Sequence, residues 1–371
     1  MVKWISCQYA DDFAGIGTTG LGVKRLQMAM PVGSRPRVQH LWACDKLRSS
    51  KTLIHHTDPP TLWLDNVLGK DRNKLPALVR KSRTGSLDLY SFTGPCQGWS
   101  QAGDMAGDQD PRSRLALVGI ATVQALKPKA FMSENVSTLA TCSKFKRFFD
   151  YLIKQLKDCG YAVHWEVLSS RPYVPQIRRR LYIFGIKQVL LRTRTMNVPM
   201  FPDPPIGFSP SLASLIMPLP TQLWLPHPPI RKFDMYNNVI NAYKAVSATI
   251  NPFKKPVIID AGSSPKYSSY RVDEAQTLTR TRASQAGGYW CSTKGGGLDP
   301  TEMAAIQGFE PSEFPWKEVY LSHSAAGSLL GNAQTLPLVT DCLCHLLFHS
   351  SQIDYDTFKH LKRTLKFQVP S

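Results

Sequence analysis

From Trp4 to Ile186, short apolar runs alternate with stretches whose apolar positions recur at helical spacing, with glycines at several of the joints. That alternation predicts the strands and helices of an α/β domain. Strands are expected at Trp4–Ala10, Val38–Ala43, in the run ending at Asp65 (LWLD), and at Leu87–Phe92, Ala130–Met132, Ala162–Leu168 and Leu181–Ile186. Helices are expected at Leu21–Met30, Leu115–Leu126 and Lys144–Asp158, the last with Phe145, Phe148, Phe149 and Leu152 as core positions. Beyond residue 188 the pattern changes: twelve of the 28 prolines lie between Pro199 and Pro256, and FPDPP and LPHPPI suit neither helix interiors nor central strands. Residues 189–321 therefore read as a separate, small, irregular domain. Periodicity returns with a helix at Pro300–Ile306 and, after Gly331-Asn332-Ala333, with a last apolar helix, so residues 1–188 and 322–371 are expected to form the large domain together.

Several joints carry chemistry. The first strand runs into DDFAGIGTTG, the Gly-rich strand-to-helix turn that suits a nucleotide-like ligand or only a tight connection. Asp45, just past the second strand, suits either a ribose hydroxyl pair or the cap of the next helix. Asp65 ends the third strand in the same manner. Residues 70–83 carry six basic side chains and one acidic one, open to phosphate contact or to a solvated face. The fourth strand leads into GPCQGWS, where Cys96 follows a proline and opens a segment with glycines at Gly98, Gly103 and Gly107. A thiol beginning a mobile loop is a candidate nucleophile, although an unpaired cysteine taken alone is more often a small core residue. Glu134, in Ser133-Glu134-Asn135-Val136, sits at a strand's carboxyl edge, where open α/β sheets bind ligands.

Composition narrows the partner. Lys and Arg number 45 against 27 Asp and Glu, a formal charge of +18 that favours a polyanion, nucleic acid first. The eight cysteines show no paired CxxC spacing and no histidine set at zinc spacing, so no metal is expected and a reducing, intracellular compartment fits. The N-terminal stretch shows no charged leader with an apolar core, and the nearest approach to a membrane span, Leu336–Phe348, is interrupted by Asp341 and His345.

Read together and in order, DDFAGIGTTG, GPCQGWSQAGDMAGDQDPR, ENV, PQIRRR, TEMAAIQGF and GNAQTLP resemble the motifs of the cytosine-5 DNA methyltransferases over essentially the whole chain. The resemblance implies a Rossmann-like S-adenosylmethionine-dependent methyltransferase fold, with a mixed, mostly parallel sheet and residues 189–321 as target-recognition domain. It implies that Cys96 adds to carbon-6 of cytosine, that Glu134 shares a proton with ring nitrogen 3, and that Arg178 and Arg180 hold the base or that carboxyl and favour the Cys96 thiolate. S-adenosylmethionine, leaving as S-adenosylhomocysteine, would meet Phe13, Gly15, Gly17, Asp45, Asp65, Pro95 and Asn332. Gln97, Ser100, Arg112 and Gln176 would meet double-stranded DNA from which the target base is flipped. The chain departs from the family pattern at Thr18, Asn66, Val174 and Ala305, none of them a catalytic group. The nucleus would be the site of action in a eukaryote, the cytoplasm in a bacterium. An RNA enzyme acting on transfer RNA and a catalytically silent paralogue are the alternatives. Target sequence and protein partners are not legible in the chain.

Overall fold

The structure is a computed structural model that describes residues 4–100, 105–192, 198–205, 211–216 and 233–366; Gly103 and the LPHPPI segment lie outside them. The chain divides into two compact units, one from Met1–Ser169, Arg179–Ile206 and Pro337–Ser371, the other from Ser170–Arg178 and Gly207–Leu336.

The first unit is built on seven strands: β1 (Ser6–Asp12), β2 (Arg37–Cys44), β3 (Leu62–Leu64), β4 (Leu89–Phe92), β5 (Ala130–Val136), β6 (Tyr161–Ser169) and β7 (Arg179–Lys187). Their order is β3-β2-β1-β4-β5-β7-β6. Strands β1 to β5 pair in parallel, and β7 runs antiparallel to both β5 and β6. β1, β4 and β5 are buried along nearly their whole lengths, polar positions such as Asp11, Asp12 and Glu134 included, whereas β6 at the sheet edge mixes buried and exposed positions. The strand order reverses between β1 and β4, so the carboxyl ends of those two strands open a crevice of the kind in which α/β sheets hold ligands.

Helices pack onto this sheet with the predicted faces inward. In the helix Lys146–Asp158, Phe149, Leu152 and Leu156 are buried, while Phe148 stacks on Trp99 with ring centroids 4.7 Å apart. At the far end of the sequence, the helix Leu336–His349 comes against the helix Thr18–Ala29 at Gly22, where a Cβ would crowd Leu343. Asp341 and His345, the two polar interruptions of that apolar run, are fully buried. Lys362, from the helix Tyr355–Thr364, answers both: its ammonium pairs with the Asp341 carboxylate and lies 3.3 Å from His345 Nε2.

The second unit carries a four-stranded antiparallel sheet in the order β11-β10-β8-β9, formed by β8 (Val257–Asp260), β9 (Tyr270–Val272), β10 (Tyr289–Cys291) and β11 (Gly296–Gly297). The helix Phe233–Val246 covers it, packing Met235, Val239, Ala242 and Val246 with Val257, Ile259, Ala261 and Trp290. The helix Pro300–Ile306 starts at a capping box between Asp299 and Glu302, and the helix His323–Asn332 also belongs to this unit.

Candidate active site

The first half of the site is the turn after β1. Phe13, Gly15 and Gly17 all take positive φ, 61°, 56° and 76°, which curls the backbone so that the helix Thr18–Ala29 starts directly beyond it. Only at Gly17 does that helix begin on a left-handed residue, a conformation glycine adopts without Cβ strain. Asp45 holds the turn open from the side: its Oδ2 accepts the Gly15 N–H at 2.9 Å and its Oδ1 the Leu47 N–H at 2.9 Å. The two readings of Asp45 from sequence thus overlap, because it ties the entry to the next helix and faces the turn as well. Burial raises its carboxyl, opposed by those two N–H groups. Asp65 is exposed, accepts the Trp63 indole N–H at 2.8 Å and lies 3.5 Å from Lys51. With Lys46, Arg48, Lys51, Thr52 and His55 it lines an open cavity of about 610 Å³.

The second half comes from β4 and β5. Thr93 stitches the two halves together, its N–H donating to the Asp12 carbonyl at 3.3 Å and its hydroxyl to the Phe13 carbonyl at 2.9 Å. Beyond it, Pro95 and Cys96 are half-buried, and a turn closed by the Trp99 N–H on the Cys96 carbonyl at 3.0 Å sends the Trp99 ring into the core against Phe145 and Phe148. The tryptophan therefore anchors the loop that carries the thiol. Glu134 is buried on β5, and its neighbour Asn135 donates to the Gly94 carbonyl at 3.3 Å, tying the acidic strand end to the start of the cysteine loop. Because β7 runs antiparallel with Val136 opposite Arg180, Glu134 and Arg180 are diagonal neighbours on one face, and Arg180 Nε lies 3.2 Å from Glu134 Oε1. That carboxylate oxygen is buried and accepts no hydrogen bond.

The other sequence-selected residues divide. Gln97 is half-buried with its Oε1 enclosed and without a hydrogen-bond partner, and Ser100 closes the same loop. Arg112 folds back on Asp110, its Nη2 2.6 Å from Oδ2, and holds that carboxyl below its ordinary range. Arg178, Gln176 and Asn332 belong to the second unit. There Arg178 is buried with its backbone N–H on Ser170 Oγ at 3.0 Å, and Gln176 is buried with neither amide atom hydrogen-bonded. Asn332 is exposed at the end of its helix.

Sequence reading missed Asp12. It is buried and accepts from Arg72 Nη1 and Nη2 at 3.0 and 2.8 Å, Trp42 Nε1 at 3.1 Å and Tyr90 Oη at 2.6 Å, immediately before the Phe13 turn. Arg72, from the basic stretch 70–83, therefore turns inward instead of meeting phosphate or bulk solvent. The available signal was the Asp-Asp pair closing an otherwise apolar strand, since consecutive carboxylates there must each find a partner or shift their protonation.

The family model for C-5 cytosine-specific DNA methylase matches residues 8–344. The chain belongs to that family. Among curated methylases it is similar to the type II methyltransferase M.NgoBI of Neisseria gonorrhoeae, 27% identical over 68% of this chain and 73% of that protein. It also matches M.HgiBI of Herpetosiphon aurantiacus, 39% identical over 49% of this chain and 38% of that protein. With M.MthTI of Methanothermobacter thermautotrophicus the identity is 36%, and the match spans 28% of this chain and about a third, 32%, of that enzyme. Among solved structures, a protein described as a prophage-encoded DNA modification methyltransferase of E. coli aligns with TM-score 0.60 at 18% identity, covering 92% of this chain and 98% of that one. A variant of Spodoptera frugiperda DNMT2 aligns with TM-score 0.57 at 16% identity, covering 92% and 100%. The mixed, mostly parallel sheet is thus the α/β methyltransferase fold that the motifs implied.

Methylases of this family use S-adenosylmethionine, and the residues after β1 fit such a group. The crevice lies at the switch point of the sheet. Around Gly15 nothing stands within 4 Å of where a Cβ would be, which leaves room for close approach. Each Asp45 oxygen takes one backbone N–H and keeps a further acceptor site for a ribose hydroxyl.

Proposed function

We propose that the protein is a DNA (cytosine-5)-methyltransferase acting on duplex DNA through a covalent Cys96 adduct. The observation that carries this reading is the linkage of the Cys96 loop to the Glu134 strand end, through Asn135 to Gly94 and with Arg180 against the carboxylate. A half-buried thiol on a loop tied to the strand end that carries a buried carboxyl with an unfilled acceptor suits a reaction in which one group attacks a heteroaromatic ring and the other hydrogen-bonds it.

In that reading the Cys96 thiolate forms a bond to carbon-6 of a flipped cytosine, while Glu134 shares its proton with nitrogen 3, so that the ring electrons move to carbon-5. Phe13, Gly15, Gly17, Asp45, Asp65 and Pro95 would hold S-adenosylmethionine, which would supply an electrophilic methyl group on sulfonium sulfur. Carbon-5 would take that methyl as the sulfur–carbon bond breaks and S-adenosylhomocysteine leaves; loss of the carbon-5 proton to water, with the nitrogen-3 proton returned to Glu134, would then re-form the double bond and expel the Cys96 thiolate. Arg180 keeps the Glu134 carboxyl aimed, and Arg178 holds the base. Gln97, Ser100, Arg112 and Gln176 contact DNA, in keeping with the +18 charge. The second unit selects the target sequence.

Transfer of labelled methyl from S-adenosylmethionine to unmethylated duplex DNA, run in parallel with transfer RNA, tests the reading. We expect label in DNA, no turnover with Cys96→Ser, and a covalent complex of the wild-type protein with duplex carrying 5-fluorocytosine, where fluorine cannot leave as the proton does. Label in transfer RNA alone would assign the RNA reaction, and trapping on a different cysteine would overturn the role of Cys96.

A further inference from the structure

Beneath the first turn of the helix Thr18–Ala29 lies a buried cluster that the proposed chemistry does not use. Tyr9 and Asp11 of β1, His40 of β2 and Asp58, which follows the helix Arg48–Thr57, are all at most 5% exposed. His40 Nδ1 stands 3.1 Å from Asp58 Oδ2 and 3.0 Å from the Asp58 carbonyl, and its Nε2 faces Asp11 Oδ2 at 3.8 Å. The imidazole stacks on Tyr9 with centroids 4.5 Å apart, and the Tyr9 hydroxyl donates to Asp58 Oδ2. From the helix itself, Lys24 reaches Asp58 Oδ1 at 3.0 Å. These are the charged and titratable groups that face His40 from β1, from the segment after the second helix and, through Asp58, from the first helix.

The helix rests directly on this cluster. A Cβ at residue 20 would overlap both Asp58 Oδ2 and Tyr9 Oη, so only glycine allows the first turn to settle there. One residue earlier, the Thr19 hydroxyl is directed to Ser91 Oγ at 2.9 Å. Neither Asp11 oxygen and not His40 Nε2 has a hydrogen-bond partner, although all three atoms are buried. An uncompensated carboxylate at such a depth is costly; the imidazole across a 3.8 Å gap reduces that cost, and a proton on Asp11 itself removes it.

We propose that His40 is a positioning residue of the cofactor half-site: as an imidazolium between Asp58 and Asp11 it seats the first turn of the helix Thr18–Ala29, and so makes affinity for the cofactor proton-dependent. This rests on the reading that the turn after β1 binds S-adenosylmethionine. The direction follows from linkage. Burial works against the charged imidazole, but Asp58 and then Asp11 outweigh it and raise His40 above its ordinary value. Burial also pushes the Asp11 carboxyl up to about 7. Both groups hold protons more tightly in the seated state than in a loosened one, so the seat is firmest in mild acid and weakens as pH rises through their folded values. Asp58 is held low, after its own burial penalty, by its hydrogen bond from His40, so it stays ionised throughout.

The test is calorimetric titration of S-adenosylhomocysteine into the full chain between pH 6 and pH 8.5, comparing wild type with His40→Gln and Asp11→Asn. Wild-type affinity should fall about fivefold or more over that range. His40→Gln should bind at the weak end with a pH slope much flatter than wild type, and Asp11→Asn should flatten the slope while keeping the fold. A His40→Gln slope equal to that of wild type would overturn the proposal. Hydrogen exchange at the amides of residues 19–22, corrected for the intrinsic pH effect, provides a ligand-free measure. If S-adenosylhomocysteine bound at no pH, the cofactor reading would fall, while a loss of protection with pH in wild type but not in His40→Gln would still sustain the role of His40. Protection that did not change with pH would refute it.

Discussion

Asp11 and Asp12 are adjacent on one strand, equally buried, and point to opposite faces of the sheet, yet their surroundings are opposite in kind. Asp12 accepts four hydrogen bonds, two of them from the Arg72 fork. Asp11 accepts none of ordinary length, with the Thr19 hydroxyl near it and an imidazole 3.8 Å away. A satisfied buried ion pair fixes geometry, because every displacement breaks a bond to a charge. A half-satisfied cluster has protonation states close in energy. The turn that follows these residues is thus held rigidly from one face and seated adjustably from the other.

Substitutions can break or sharpen that contrast. The largest effect is expected for Asp12→Asn, which leaves the Arg72 guanidinium without its counter-charge and should cost about 3–5 kcal/mol in urea unfolding. Arg72→Lys keeps the charge but loses the planar fork, and about 1–2 kcal/mol should be lost in the same measurement. Asp11→Asn should have the smallest effect, with the opposite sign. The folded state raises the Asp11 carboxyl from 3.8 to about 7, so wild type loses stability relative to the variant as pH climbs through that window. The two proteins should unfold alike near pH 4, and the variant should be more stable by about 1 kcal/mol at pH 8. A variant equally destabilised at both pH values would mean that Asp11 makes a bond like those of Asp12.

The sheet was legible because short, largely apolar runs such as Tyr9–Ala10, Leu89–Phe92 and Ala130–Met132 recur between helical stretches, even though β1 and β5 carry buried polar residues towards their ends. The helix expected at Lys144–Asp158 was legible because Phe145, Phe148, Phe149 and Leu152 recur at helical spacing; Phe149 and Leu152 are buried in the helix Lys146–Asp158, and Leu156 continues the same side. Cys96 and Glu134 stood out through motif order, and the hydrogen bond from Asn135 to Gly94 ties their segments together. What did not show was the direction of charged side chains. Arg72 and Lys362 look like surface residues in a basic chain, and only the fold turns them toward Asp12 and Asp341. The antiparallel sheet of the second unit was also hidden: its strands are two to four residues long, β11 is Gly296–Gly297, and such segments carry no measurable period.

The crossing at Gly22 has a consequence for the order in which the protein is made. All seven strands of the first unit leave the ribosome before Pro337, and the residues of the second unit are synthesised before Leu343 can reach its place beside Gly22. Until then the helix Thr18–Ala29 lacks one of its packing partners. Domains generally fold as they emerge, but the first unit gains the residues from Pro337 onward only after the whole second unit has been made, which delays the final ordering of the turn after β1.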